Sequence, residues 1–228
     1  MNEGGSRTQS VCAEALGARV IYETLAEGLV NIPSENILTD LRNIALILDE
    51  ADLFDFESRI GPDSKTQLEK AFYDRFFVVT HPQYIPLRES DLLAMQIKGG
   101  VVSYGKPRTG IIAHASNCYR ETGFDFRKIT GYEMAIKSLK ADSMASELSF
   151  MAFLHDGSSS AKSEAQALAH ERLALSFLEQ HLNKWASKAA DIAANYDDIY
   201  ARLLSLIATW VQFDHERLND LLKATRID

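Results

Sequence analysis

The chain is poor in cysteine, has no long hydrophobic run and carries too little positive charge for its acids. Each shortage removes a class of protein. Cys12 and Cys118 are the only cysteines in 228 residues. Without C-x-x-C spacing they build neither a zinc ribbon nor a disulfide framework, and two reduced thiols are expected. No apolar stretch approaches the roughly 20 residues that a membrane-spanning helix needs, so no membrane insertion is expected. The first residues, Met1-Asn2-Glu3-Gly4-Gly5-Ser6-Arg7, lack the apolar centre of a secretory signal, which predicts a cytoplasmic protein. Basic residues number 24 against 32 acidic ones, a formal charge of −8. A protein that tracks phosphates needs a basic face, so no nucleic-acid partner is expected. The acidic balance suits a basic peptide, whose encounter rate it raises, and it also serves plain solubility.

Catalytic signatures are missing as well. There is no Gly-x-Ser-x-Gly elbow and no Walker or Rossmann glycine pattern, and neither cysteine stands in a recognisable catalytic sequence. The six histidines are His81, His114, His155, His170, His181 and His215. None follows a glutamate by three positions and no two stand four apart, so the Glu-x-x-His arrangement of metal-binding bundles is absent. His181 and His215 fall on long helical stretches near tryptophans, where packing or a solvated face is the expected role. No catalytic residue, cofactor or metal is expected, and the chain reads as a protein other than an enzyme.

Helical periodicity is what the sequence has in plenty. Residues 1–10 are polar and contain glycine, which predicts a flexible N-terminus. Leu16, Val20, Ile21, Leu25 and Leu29 then recur at helical spacing, predicting a helix over 12–30. Ile32-Pro33-Ser34 breaks it, and Ser34 is a suitable N-cap for a helix with Ile37, Leu41, Ile44 and Leu48 on one face. Asp49 to Glu57 holds five acids and no base. Gly61-Pro62-Asp63-Ser64 marks a turn, after which Leu68, Phe72 and Phe76 line a third helix. The prolines between His81 and Pro86 exclude a helix interior there. A helix is expected to resume over Asp91–Met95 and to end at Gly99-Gly100, followed by weak strand-like alternation at Val101–Tyr104. Further helices are expected over 110–120 with Gly123 as the stop, after Asp142 as N-cap, over 161–185 following a break at His155–Ser160, and over 199–213. The fold class is therefore all-α. A single multi-helix globular domain is expected over 11–228, as one body or as two lobes hinged near 125–142.

Two segments carry the candidate site. The first is Tyr84-Ile85-Pro86-Leu87-Arg88-Glu89-Ser90, which follows the aromatic run Phe72-Tyr73-Asp74-Arg75-Phe76-Phe77. Pro86 fixes φ and Pro82 stiffens the approach, so the loop loses little entropy on becoming a binding surface. Tyr84 offers an apolar ring with a polar tip, and Arg88 and Glu89 add charge beside it. The competing reading is a rigid turn whose Glu89-Ser90 caps the next helix. The second segment is Asp142-Ser143-Met144-Ala145-Ser146-Glu147-Leu148-Ser149-Phe150-Met151. Ser143 and Glu147 share a helix face behind Asp142, while Leu148 and Met151 turn to a core. Methionines beside a polar face suit a groove that accepts varied peptides, and a well-capped core helix is the alternative.

In order and spacing these segments resemble the TorD/DmsD family of cytoplasmic chaperones for molybdenum-containing redox enzymes. That family carries a Y-x-P-x-x-E-S loop and, further along, a D-H-x-x-x-E-L-x-F-M segment. Arg19 to Leu25 is similar to its first helix, Cys118-Tyr119-Arg120-Glu121-Thr122-Gly123-Phe124 to its Y-x-x-x-G-F element, and Phe177 to Trp185 to its F-x-x-x-H-L-x-x-W helix. The resemblance implies a TorD-like helical bundle. It implies a protein that binds the signal peptide, usually of twin-arginine type, and the apoprotein of a molybdopterin oxidoreductase, assists cofactor insertion and delays export. The implied peptide-binding set is Phe76, Tyr84, Pro86, Arg88, Glu89 and Ser90 from the loop, with Asp142, Ser143 and Glu147 from the second segment. Glu89 and Asp142 are expected to border one groove and attract the arginines of a leader.

The chain departs from the family where Leu139-Lys140-Ala141-Asp142-Ser143 replaces an E-P-x-D-H run. Ser143 keeps hydrogen-bonding capacity but has no charge change near neutral pH, unlike the histidine it replaces. The guanine-nucleotide binding suggested for some members loses the same histidine. The alternatives in function are an assembly factor that binds a folded oxidoreductase subunit without reading a leader, and a helical nucleotide hydrolase. Monomer and dimer are both compatible with the sequence.

Overall fold

The computed structural model describes residues 3–32, 34–50, 64–98, 101–196 and 198–225. The fold is all-α, as the periodicity predicts. Helix α1 (Glu3–Val30) turns Ala15, Ala18, Tyr22, Leu25, Ala26 and Leu29 inward, a stripe spaced by three and four residues. Its alanines let α7 (Met144–Ser159) come close, and this pair is the spine of the molecule. Helix α7 buries Met144, Leu148, Phe150, Met151 and Leu154, pointing in several directions at once, which places it at the centre. Each such side chain contributes about 1.5–3 kcal/mol by leaving water.

Helix α8 (Glu164–Gln180) packs against α7, and α10 (Ile199–Ala224) lies over α8 and α9 (Ala186–Ala193). Helix α2 (Glu35–Ile47) packs against α1, its start fixed by Ser34, which accepts from the Ile37 N–H at 3.3 Å. Phe72 of α3 (Ser64–Phe76), Trp185, Leu203 and Trp210 join the same continuous core. No helix among the described residues is long and apolar enough to cross a membrane.

Several boundaries differ from the sequence expectation, each for a reason in the packing. Helix α1 is already helical at Glu3, inside the stretch expected to be flexible, and Arg7 pairs with Glu164 at 3.0 Å. The helix expected over Asp91–Met95 is α4 (Glu89–Leu92), which starts earlier and stops sooner. Its end is held by Lys188, whose Nζ donates to the Leu92 carbonyl at 2.6 Å. Met95–Lys98 (β1) and Val101–Tyr104 (β2) instead form an antiparallel hairpin with Met95 opposite Tyr104. The break expected at His155–Ser160 comes later, at residues 160–163, because α7 runs on to Ser159 with His155 and Ser158 buried and bonded. The helix expected over 161–185 stops at Gln180, where His181 leaves helical geometry (φ −127°, ψ −97°). A 3₁₀ turn at Leu182–Lys184 and α9 follow.

Helix α5 (Thr109–Thr122) ends as expected on Gly123, at φ 81°. Residues 125–142, where a hinge was expected, carry a 3₁₀ turn at Phe126–Lys128 and the short α6 (Glu133–Ser138). Gly131 lets this segment touch α1: a Cβ there would lie 2.8 Å from the Val30 carbonyl. The neighbouring Tyr132 N–H donates to that same oxygen at 2.9 Å. Pro33, the acidic run from residue 51, the turn at 61–63 and Gly99-Gly100 lie outside the described residues.

A buried ionic network locks the far end of α7 to α1, α8 and α10. His155 meets Glu171 at 3.0 Å and Asp214 at 3.3 Å, and Arg217 reaches Asp214 at 2.8 Å and Glu171 at 3.0 Å. The Tyr22 hydroxyl donates to Asp214 at 2.9 Å, with its ring stacked on His155. Burial alone would lower the pKa of His155, but Asp214 and Glu171 outweigh it and raise the value to about 9. Burial opposes the charge on Asp214 as well, yet His155 and Arg217 bring it down to about 2.

Candidate functional site: a groove over a buried acid–histidine chain

The loop after α3 is pinned before it reaches its prolines. Arg75 is buried, donates to the Gln83 carbonyl at 2.8 Å, pairs with Asp198 and stacks on the Tyr196 ring. The Ile85 N–H returns to the Arg75 carbonyl at 2.9 Å, so the segment 76–85 is a closed excursion with a rigid base. Tyr84 stands half-buried on it. Burial and nearby Asp91 raise its hydroxyl pKa, which keeps it a neutral donor.

The loop then joins the start of α7 directly. Arg88 and Ser143 form an isolated antiparallel bridge. Met144 N–H donates to the Leu87 carbonyl at 3.0 Å, and Glu89 N–H to the Asp142 carbonyl at 2.9 Å. Two segments more than fifty residues apart in sequence thus meet backbone to backbone, the juxtaposition expected from the family resemblance. Asp142 does not cap its own helix. Its carboxylate accepts from the Ser90 N–H at 3.2 Å and from the Ser90 hydroxyl, capping α4 from across the fold. Ser143 takes the cap position of α7, and its hydroxyl accepts from the Lys140 N–H at 2.9 Å.

The predicted residues therefore divide into two layers. Phe76, Tyr84, Arg88 and Ser143 line a groove of about 110 Å³, with Leu87 and Leu139 as further apolar wall. Pro86 is buried within the loop. Glu89, Ser90, Asp142 and Glu147 lie beneath, none more than 1% exposed. This corrects the expectation that Glu89 and Asp142 face the arginines of a ligand. Their carboxylates are spent on internal partners, because a buried charge without one costs several kcal/mol.

Those partners form a chain of polar groups. Glu89 Oε2 lies 2.6 Å from Nδ1 of His181, whose Nε2 lies 2.8 Å from Nδ1 of His114. Trp185 Nε1 donates to Glu147 Oε2 at 2.9 Å, while Oε1 of Glu147 has no hydrogen-bond partner among the described residues. Burial and neighbouring Glu89 push Glu147 well above the ordinary carboxylate range. The tyrosine of the Tyr119–Gly123 element supports the junction from below, donating to the Ala141 carbonyl at 2.7 Å.

Two donor sets here are close enough to share a cation: Glu89, Glu147 and His181, all buried, and His114, Cys118 and His181, which reach the surface. Sequence spacing hides both. His181 was expected only to pack, and the four-residue His114–Cys118 interval is no recognised motif on its own. Burial and Glu121 raise the Cys118 thiol, so it is no activated nucleophile.

A second cleft of about 540 Å³ adjoins the groove, the two sharing Val30. Its wall carries Glu23, Glu27 and Asp156 with Arg19 and Lys128. Arg19 already pairs with Glu23 and Asp156, both at 2.9 Å, and Glu27 makes no ion pair among the described residues.

A family model described as nitrate reductase delta subunit matches residues 35–191, from α2 into α9 and across both segments of the site. No curated protein and no solved structure matches the chain.

Proposed function

Since the chain belongs to the nitrate reductase delta subunit family, part of the TorD/DmsD chaperones that mature molybdoenzymes, we propose that its groove binds the signal peptide of an immature oxidoreductase subunit. The protein would act in the cytoplasm, before export. The observation that carries this reading is the groove beneath Tyr84 and Arg88, lined by apolar side chains with Arg88, Ser138 and Ser143 among them and walled by a loop already held rigid. At about 110 Å³ the groove takes a single apolar side chain of a leader against Phe76, Leu87 and Leu139, with Tyr84 and Ser143 supplying hydrogen bonds to the peptide backbone. The arginines of the same leader find Glu27 and Glu23 in the adjoining cleft rather than the buried Glu89 and Asp142. The net charge of −8 draws such a peptide in. A disordered segment loses entropy on binding and a chaperone must release its client, so an affinity around micromolar is expected.

Calorimetric titration with the leader of a molybdenum oxidoreductase from the same cell tests this. Tyr84→Ala and Leu139→Ser should each weaken binding about tenfold, a loss of roughly 1.4 kcal/mol. Glu27→Gln should weaken it less and flatten its salt dependence. Folded variants that bind as tightly as the wild type would remove the groove from the reading.

One observation favours a second reading. With Glu89 and Asp142 buried, the groove itself offers no carboxylate for an arginine pair. A chaperone that grips an apolar patch of the subunit would use the same groove and ignore the leader. Capture of a leaderless catalytic subunit as efficiently as the full-length one decides for that alternative.

A further inference from the structure

We propose that His114, Cys118 and His181 form a binding site for a zinc-class divalent cation, with Glu89 orienting His181. The inference stands apart from client binding. His114 and Cys118 are one turn apart on α5, the i and i+4 positions of one face. His181 comes to them from the end of α8, where the chain abandons helix. The His114 and His181 nitrogens are 2.8 Å apart, and Cys118 Sγ lies 3.9 Å from the same nitrogen of His114. All three donor atoms fall within 4.8 Å of one another.

The rings meet edge to edge. Their planes differ by 26° and their centroids are 5.0 Å apart, which with nitrogens at 2.8 Å leaves no room for an offset stack. The two nitrogens point at each other as in an N–H···N hydrogen bond, so a tetrahedral ion requires the His114 ring to turn as well as to move away. Two nitrogens on a tetrahedral zinc at about 2.0–2.1 Å stand roughly 3.4 Å apart, so the pair must open by about half an ångström. The exposed His114 is the side chain free to move.

Glu89 holds His181 from behind. The ring Nδ1 faces Glu89 Oε2 at 2.6 Å. A carboxylate that accepts a hydrogen bond from Nδ1–H fixes the tautomer that leaves the Nε2 lone pair free for a metal and holds the ring in place, the arrangement seen behind metal-bound histidines. Phe177 stacks on the same ring at 4.4 Å and holds its plane. His181 leaves helical geometry at the end of α8 and, itself buried, places one ring nitrogen on Glu89 and the other on the exposed His114. The alternative set of Glu89, Glu147 and His181 is closed off from solvent and would use the nitrogen already bonded to Glu89.

Two imidazoles and a thiolate suit Zn²⁺ in ligand type, and the fourth tetrahedral position falls to water or to a donor from a partner. Binding ties α5 to the 181–184 turn and, through Glu89, to the loop that borders the groove.

Tag-free protein stripped with chelator and titrated with Co²⁺ provides the test, since a cobalt–thiolate bond adds a charge-transfer absorption. One ion per chain should bind at about 10 µM protein, with that absorption present and reversed by Zn²⁺. Cys118→Ser should abolish the absorption, and His114→Ala should weaken binding at least tenfold. Both positions are accessible enough for the fold to survive, which circular dichroism verifies. Glu89→Gln should weaken binding about 10–100-fold without altering the spectrum of the saturated complex. Failure to bind either ion overturns the proposal. So does a charge-transfer band that persists in Cys118→Ser, which would assign it to Cys12.

Discussion

Two buried polar clusters sit on α7, eight residues or about 12 Å apart along its axis, and they are built on opposite principles. At the His155 end two cations face two anions, and all four carboxylate oxygens of Glu171 and Asp214 are bonded. At the Glu147 end two glutamates share one histidine and one indole, and a buried carboxyl oxygen is left without a partner. The first is a charge-balanced clamp on four helices, whose carboxylates are fully bonded and whose Arg217 Nη1 has no hydrogen-bond partner among the described residues. The second is under-satisfied, lies beneath the groove and reaches the surface through His114. The ionic clamp lies at one end of the helix and the groove proposed for client binding at the other.

Mutations that unbalance the clamp should do the most damage. Asp214→Ala leaves His155 and Arg217 buried without their shared partner and should cost about 3–5 kcal/mol in urea unfolding. The pH dependence comes next. The His155 pKa is raised by folding, so its contribution is full below about 6.5 and lost as pH climbs through about 9. The Asp214 pKa is depressed, so its contribution holds above about 3.8 and is lost as pH falls toward about 2. The stability gap between wild type and His155→Gln should therefore narrow by about 2–3 kcal/mol from pH 6 to pH 10.

The other cluster should respond with the opposite sign. Folding raises the Glu147 pKa, so wild-type stability falls as pH rises above about 4.5 toward the folded-state value. Glu147→Gln keeps an acceptor for Trp185 and has no proton to lose. It should stabilise the protein by about 1–2 kcal/mol at pH 8 and by less at pH 5. Destabilisation at pH 8 would erase the contrast between the two ends. The smallest effect is expected from Cys118→Ser without added metal, within about 0.5 kcal/mol of wild type.

Local signals made part of this legible in advance. Ser34 as a cap, Gly123 as a stop and the buried face of α2 follow from spacing and side-chain chemistry alone. That the Tyr84–Ser90 loop borders the start of α7 was an expectation resting on the family resemblance, and the Arg88–Ser143 bridge joins the two. What stayed hidden depends on partners distant in sequence. Glu89 is silenced by a histidine 92 positions away, and Asp142 caps a helix other than its own. The same histidine ends α8 early, against a periodicity that ran on to Trp185. Strand β1 was masked because four residues are too few for alternation to outweigh the helical reading of Asp91–Met95.

Hydrogen exchange followed by mass spectrometry, with and without the leader peptide, addresses the division of labour along α7 most directly. Bound leader should slow exchange in segments 76–90 and 135–145, which wall the groove, and leave 167–171 and 214–217 of the ionic clamp unchanged. Protection confined to the clamp, or none at the groove under saturating peptide, would contradict it.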